Sequence, residues 1–126
     1  MYSETETEIA ITPDTVLAVL LTMEGAGAGL RAEQLVEVIT GRDSTALSER
    51  HLRQSITELR MRGHPACATP DHGYFWGITE AEIWDTVRNL TRRSLTGLTQ
   101  ASRMTGQTVQ ELAGQLQLEL EEAQNA

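Results

Sequence analysis

The apolar residues between Ser48 and Trp76 change their period at Pro65, and that switch narrows the folds open to the chain. Before it, Leu52, Ile56 and Leu59 recur at spacings of four and three, one buried stripe of a helix. Ser48 is the expected N-cap, Glu49 sits in the first turn, and Gly63 closes the helix. His64-Pro65 cannot be helix interior, because proline lacks an N–H and its ring clashes with the preceding turn. Ala66–Thr69, then Pro70-Asp71-His72-Gly73, then Tyr74–Ile78 read as strand, turn, strand. On the second strand Tyr74 and Trp76 share one face and Phe75 takes the other.

Two helices are expected upstream. The first starts at Thr12-Pro13-Asp14, with a capping threonine and proline at the first helical position, and runs to about Met23 or Glu24. Val16, Leu17, Leu20 and Leu21 form its apolar face. The Gly25–Gly29 run, GAGAG, lacks dinucleotide-loop spacing and a preceding strand, so it reads as a flexible connector. The second helix spans roughly Ala32 to Ile39, turns Leu35, Val36 and Ile39 inward, and has Gly41 after its end. A polar connector, Arg42 to Ala46, follows.

Downstream of the hairpin, Thr79 and Glu82 form a T-x-x-E capping box for a long helix to about Met104. Trp84 is placed to pack back on the hairpin. A second box, Thr108 with Glu111, restarts helix after Gly106 and carries Val109, Leu112, Leu116 and Leu120. The expected class is mainly α with a small β-hairpin wing, followed by a C-terminal helical extension. The expected divisions are an acidic mobile tail over residues 1–11, a folded domain over 12–78 and the extension over 79–126.

Charge constrains the chemistry. The 126 residues hold 18 acids against ten bases, and every base is arginine. Without lysine, a Walker-type phosphate loop and Schiff-base catalysis are both excluded. The net charge of −8 looks wrong for a nucleic-acid binder, but it is unevenly spread. Residues 1–30 carry −5, 31–77 carry 0, 78–104 carry +1 and 105–126 carry −4. The acidity lies at the ends, and the middle is neutral and rich in arginine. The acidic start lacks the basic flank of a secretory signal, no apolar run is long enough for a membrane span, and Cys67 is the one cysteine. A cytoplasmic, reducing compartment is the expectation.

Three helices followed by a two-stranded ribbon is a winged helix-turn-helix order. The stretch from Ser48 to Ala66, followed by Gly73-Tyr74-Phe75-Trp76, resembles winged helix-turn-helix DNA-binding domains of the biotin-repressor N-terminal type and small phage-encoded winged-helix proteins. Leu59, Arg60, Gly63, Pro65, Gly73, Tyr74 and Trp76 carry the likeness, which covers about residues 12–78. The resemblance implies double-stranded DNA binding. Two departures stand out: the connector between helices 2 and 3 is several residues longer than the family's turn, and the wing tip holds Asp71 and His72 but no arginine. Arg42 and the serine-threonine connector are left as candidates for backbone contact.

If helix 3 buries Leu52, Ile56 and Leu59, its period exposes Arg50, Arg53, Gln54, Thr57 and, at the edge, Arg60. In the helix-turn-helix mode this helix enters the major groove. Arginine can pair with guanine O6 and N7, and glutamine with adenine N6 and N7, so Arg50 and Gln54 are the candidate base readers. Ser48, Arg53 and Thr57 are candidate phosphate contacts, His51 is left open between either role and packing, and Thr69 and His72 complete the set on the wing. Against this, Glu49 with Arg53 and Glu58 with Arg62 have the i,i+4 spacing of ordinary intrahelical pairs.

Other constellations are weaker. His64, Cys67 and His72 lie near one hairpin but lack the spacing of a four-ligand zinc site, so no metal or other cofactor is expected. Tyr74, Phe75 and Trp76 read as mostly core rather than as base-stacking residues. No nucleophile motif or paired-carboxylate cleft is present, so enzyme activity is not expected. The apolar faces of the extension need a cover, and homodimerisation is favoured over folding back on the domain or docking elsewhere. Arg88, Arg92 and Arg93 are placed to add phosphate contacts if this helix lies along a duplex. Two functions follow as expectations: sequence-specific double-stranded DNA binding, by a transcriptional regulator or a phage replication or genome-organisation factor, or a protein adaptor binding replication or transcription machinery.

Overall fold

Thr12 starts the first helix as its residue type predicts. In the computed structural model, which describes residues 10–125, its hydroxyl accepts from the Thr15 amide while the Thr15 hydroxyl accepts from the Thr12 amide. Helix α1 spans Pro13–Leu20, α2 spans Ala32–Thr40 and α3 spans Ala46–Met61. Strands β1 (Ala66–Thr69) and β2 (Gly73–Trp76) form an antiparallel hairpin. Two further helices follow, α4 over Glu80–Thr105 and α5 over Val109–Asn125. The chain is therefore mainly α with a small β-hairpin and a C-terminal helical extension, as expected. The acidic tail assigned to residues 1–11 lies outside the described residues except for Ala10 and Ile11.

The first compact unit runs through Thr86 and the second from Val87 on. In the first, Val16, Leu20, Leu35, Val36, Ile39, Leu52, Ile56 and Leu59 form one core, each at most 2% exposed. The inward stripes expected of α2 and α3 are thus the ones buried. On α1 the face is narrower than expected, because Leu21 is half exposed. The helix stops at Leu20, short of Met23, where the chain turns to reach the hairpin: the Met23 carbonyl accepts from the Trp76 amide at 2.8 Å.

Strand register explains the aromatic triplet. Ala66 pairs with Trp76, Cys67 with Phe75, Ala68 with Tyr74 and Thr69 with Gly73. Ala66, Tyr74 and Trp76 face the helical core, while Cys67 and Phe75 point the other way and are also buried. The first turns of α4 cover that second face: the Cys67 Sγ lies 3.8 Å from the Glu82 carbonyl oxygen, and the Thr86 hydroxyl accepts from the Ala68 amide at 3.1 Å. These turns thus belong to the first unit, and the division expected after Ile78 falls after Thr86. Trp84, expected against the hairpin, is 53% exposed. The turns of α4 that touch the hairpin do so through Glu82, Ile83 and Thr86 instead.

The Gly25–Gly29 segment is not the flexible connector its composition suggests. It holds a short 3-10 turn, Ala26–Ala28, and lies along the free edge of β2. The Gly25 amide donates to the Trp76 carbonyl at 2.9 Å, while Leu30 and Tyr74 exchange both backbone hydrogen bonds at 3.0 and 2.7 Å. The approach is close: a Cβ on Gly29 would lie 2.1 Å from the His72 carbonyl oxygen, and one on Gly73 2.2 Å from that of Leu30. Only glycine fits at either place. Pairing on both edges satisfies β2's backbone groups, which a free hairpin would leave to water.

In the second unit, Gly106 breaks the helix and the Thr108 hydroxyl accepts from the Glu111 amide at 3.1 Å, the expected restart. Along α5 the apolar stripe emerges from cover: Leu112 is 6% exposed, Leu116 42% and Leu120 60%. Among the described residues, no helix is long and apolar enough to cross a membrane.

Candidate nucleic-acid interface

Helix α3 is anchored on one side only. Leu52, Ser55, Ile56 and Leu59 are buried, and the opposite side shows Arg50, Arg53, Gln54 and Thr57, all exposed. Thr45 is the N-cap, not Ser48, and the helix begins at Ala46, three residues earlier than a Ser48 cap implies. Ser48 occupies the third helical position, where its hydroxyl accepts from the Thr45 amide at 2.8 Å. It therefore serves the helix end rather than standing free on the surface.

The competition for the arginines resolves differently at each position. Arg62 joins Glu58 at 3.4 Å and approaches Asp14 of α1 at 3.9 Å. Glu49 does not take Arg53; its carboxylate accepts from the Ser44 hydroxyl at 2.6 Å. Among the described residues, Arg50 and Arg53 make no ion pair. Arg60 is turned inward, with its Nε donating to the Ala66 carbonyl at 2.6 Å, and burial pushes its guanidinium pKa down. Its role is to tie α3 to β1. It departs from the exposed arginine expected at the edge of the face.

His51 and Gln54 lie on the flank nearer α1. With Ile11, Pro13, Glu58 and Arg62 they line an open cleft of about 400 Å³ between the start of α1 and α3. Gln54 thus borders both the cleft and the arginine face. The Thr57 hydroxyl donates to the Arg53 carbonyl at 3.0 Å, which leaves its lone pairs to accept but not its proton to donate outward.

At the hairpin tip, the Thr69 hydroxyl accepts from the His72 amide and meets the His72 Nδ1, both at 3.1 Å. These two residues build the turn. Arg31 leans toward the same turn, its guanidinium 3.5 Å from the Pro70 carbonyl oxygen. The remaining hairpin chemistry is structural. His64 packs on Trp76 with ring centroids 5.7 Å apart, and burial pushes the Cys67 thiol pKa up. Among the described residues, no group of three or more His, Cys, Asp or Glu side chains is placed to hold a metal ion.

Two exposed apolar residues escaped the sequence reading. Leu47 and Met61 sit at either end of the same face of α3, 58% and 81% exposed. The helical period that placed Arg50 on this face places them there too, and exposed apolar groups beside arginine suit contact with thymine methyls. The arrangement can present two guanidinium groups, an amide and a hydroxyl acceptor along one rod, flanked by apolar ends. Comparison of the chain with family models, curated proteins and solved structures finds no match.

Proposed function

We propose that this chain binds double-stranded DNA as a winged helix-turn-helix, with α3 entering the major groove. The observation that carries the reading is the division of labour among the α3 arginines. Arg60 and Arg62 are spent on the protein itself, while Arg50 and Arg53 stand exposed and unpaired among the described residues beside Gln54. Arg50 and Gln54 read base edges and Arg53 contacts the backbone, whereas the Thr57 hydroxyl, its proton held by the Arg53 carbonyl, has none to give a phosphate. Transcriptional regulation and phage replication or genome organisation use the same module, and the proposal covers both.

The test is selection of bound duplexes from a random pool at two salt concentrations. An enriched site, with binding that weakens steeply as salt rises, supports the reading. No enrichment together with no retention at low salt sinks it.

A second copy of the chain is the partner proposed for the C-terminal helices. The exposed Leu116 and Leu120 are suited to the same apolar stripe of another copy, and two α3 helices would then meet two half-sites. Sedimentation equilibrium checks this: a dimer that Leu116→Glu dissociates supports it, and a monomer at all concentrations rejects it. The protein-adaptor reading draws on the same exposed leucines. Recovery of a stoichiometric partner that survives nuclease treatment, without any duplex affinity, would favour it.

A further inference from the structure

We propose a second DNA contact, sequence-independent, on the polar face of α4. It rests on the double-stranded DNA reading above and adds a site that α3 does not contain. Between Asp85 and Glu111 lie 25 residues without one acid, in a chain whose net charge is −8. All four arginines of this stretch, Arg88, Arg92, Arg93 and Arg103, are exposed and lie on one continuous helix.

The helical period sorts them. Arg88, Arg92 and Arg103 fall within an arc of about 60° at 3.6 residues per turn, with Arg93 on its flank. Val87, Leu90, Leu98 and Ala101 fall on the opposite side, whereas Leu95, 48% exposed, lies beside Arg88 on the arginine side. From Arg88 to Arg103 the helix rises about 22 Å, the axial length of roughly six phosphates on one strand of a duplex. The hydroxyls of Thr91, Ser94 and Thr96 donate to carbonyls one turn back, so their protons are committed to the helix and the guanidinium groups of Arg92, Arg93 and Arg103 are the outward donors here. Guanidinium groups spread along a straight rod suit phosphate oxygens, and the carboxamides of Asn89 and Gln100 on the same side can donate to phosphate as well.

A basic two-faced helix can also lie on an anionic membrane. The apolar side of this one argues against that. On the side of Leu90 and Leu98 the helix carries Ser94 and Gly97, and Leu95 lies among the arginines instead, so no continuous apolar face is presented to acyl chains. DNA is also the polyanion proposed above for the exposed arginines of α3.

The experiment uses the full chain and a fluorescent 20-base-pair duplex of arbitrary sequence, with affinity measured across a salt series. Each phosphate contact contributes about 0.9 to the slope of log affinity against log salt. Replacing Arg92, Arg93 and Arg103 together by glutamine is expected to lower that slope by about 2 to 3, and to weaken all duplexes alike. The site selected from a random pool stays the same. Gln54→Ala, which removes no charge, is expected to do the reverse, losing site preference with the slope intact.

An unchanged slope in the triple variant overturns the α4 contact while leaving α3 binding standing. Binding to anionic phosphatidylserine vesicles that the triple substitution abolishes, with duplex affinity unaltered, also overturns it. If the parent chain binds no duplex at low salt, both readings fall together. Circular dichroism of the triple variant, whose substituted residues are all exposed, separates lost contact from lost helix.

Discussion

The carboxylate of Glu82 reaches the backbone amide of Ala26 at 2.8 Å, joining the start of α4 to a segment 56 residues earlier. Its other oxygen accepts from the amides of Ile78 and Thr79 at 3.0 and 3.3 Å. One side chain therefore caps a helix and holds the strip that lies along β2. Hydrogen bonds from Ile78, Ala26 and Thr79, in that order, hold the Glu82 pKa below the usual carboxylate range.

That depression fixes the sign of a pH effect. The folded state favours the ionised carboxylate more than the unfolded chain does, so its contribution is complete above the ordinary glutamate pKa of about 4.3. It is lost as pH falls through the lower folded value. Glu82→Gln is expected to lower the denaturation midpoint at pH 7 and to flatten its decline below about pH 4.3. Urea titrations between pH 7 and pH 3 measure both, and an unaltered acid limb in the variant contradicts the assignment.

Arg50 and Arg60 should separate cleanly. Arg60→Ala removes a partly buried, charged donor from the Ala66 carbonyl and is expected to cost about 1–2 kcal/mol of stability. Arg50→Ala, at an exposed position, should stay within about 0.5 kcal/mol of the parent while weakening duplex binding. Chemical denaturation paired with a duplex titration distinguishes them.

Thr86 closes the β1 edge by accepting from the Ala68 amide and donating to the Ala68 carbonyl at 3.3 Å. It is 6% exposed. Thr86→Val keeps the shape but removes both bonds, and a loss of about 1–3 kcal/mol is expected because two polar groups are left without partners. Hydrogen exchange at Ala68 should accelerate with it.

Two glycine substitutions should have opposite signs. Gly73→Ala meets the Leu30 carbonyl and demands a left-handed backbone at φ +74°, so a loss of about 2 kcal/mol or more is expected. Gly97→Ala lies inside α4 with nothing within 4 Å of the added Cβ, and a gain of about 0.5–1 kcal/mol is expected. Thermal melts of the two variants should move apart from the parent in opposite directions.

Much of this architecture was written locally. The stripe of Leu52, Ile56 and Leu59, the Thr12 cap and the paired boxes of Thr79 with Glu82 and Thr108 with Glu111 involve residues three or four apart. Period and capping chemistry therefore suffice to find them. The exposed side of α3 followed from the same period, so Arg50, Arg53, Gln54 and Thr57 were legible as candidates. The start of α3 was not: Thr45 and Ser48 are both competent caps, and only the backbone turn at Thr45 chooses between them.

Contacts between distant segments were beyond any local pattern. GAGAG looks like slack chain because glycine and alanine carry no polar side-chain signal, yet its backbone pairs with β2. Arg60 has the sequence spacing of an exposed residue at the edge of α3, but β1 brings a carbonyl within reach and turns it inward. Trp84 is left outside because Glu82, Ile83 and Thr86 are the α4 residues that meet the hairpin. The sequence by itself determined which segments form helices and the hairpin, though not the end of α1 or the start of α3, since most of that depends on neighbours along the chain. Tertiary structure alone decided which arginines are spent on the fold and which remain available, because that depends on backbone groups brought close only after folding.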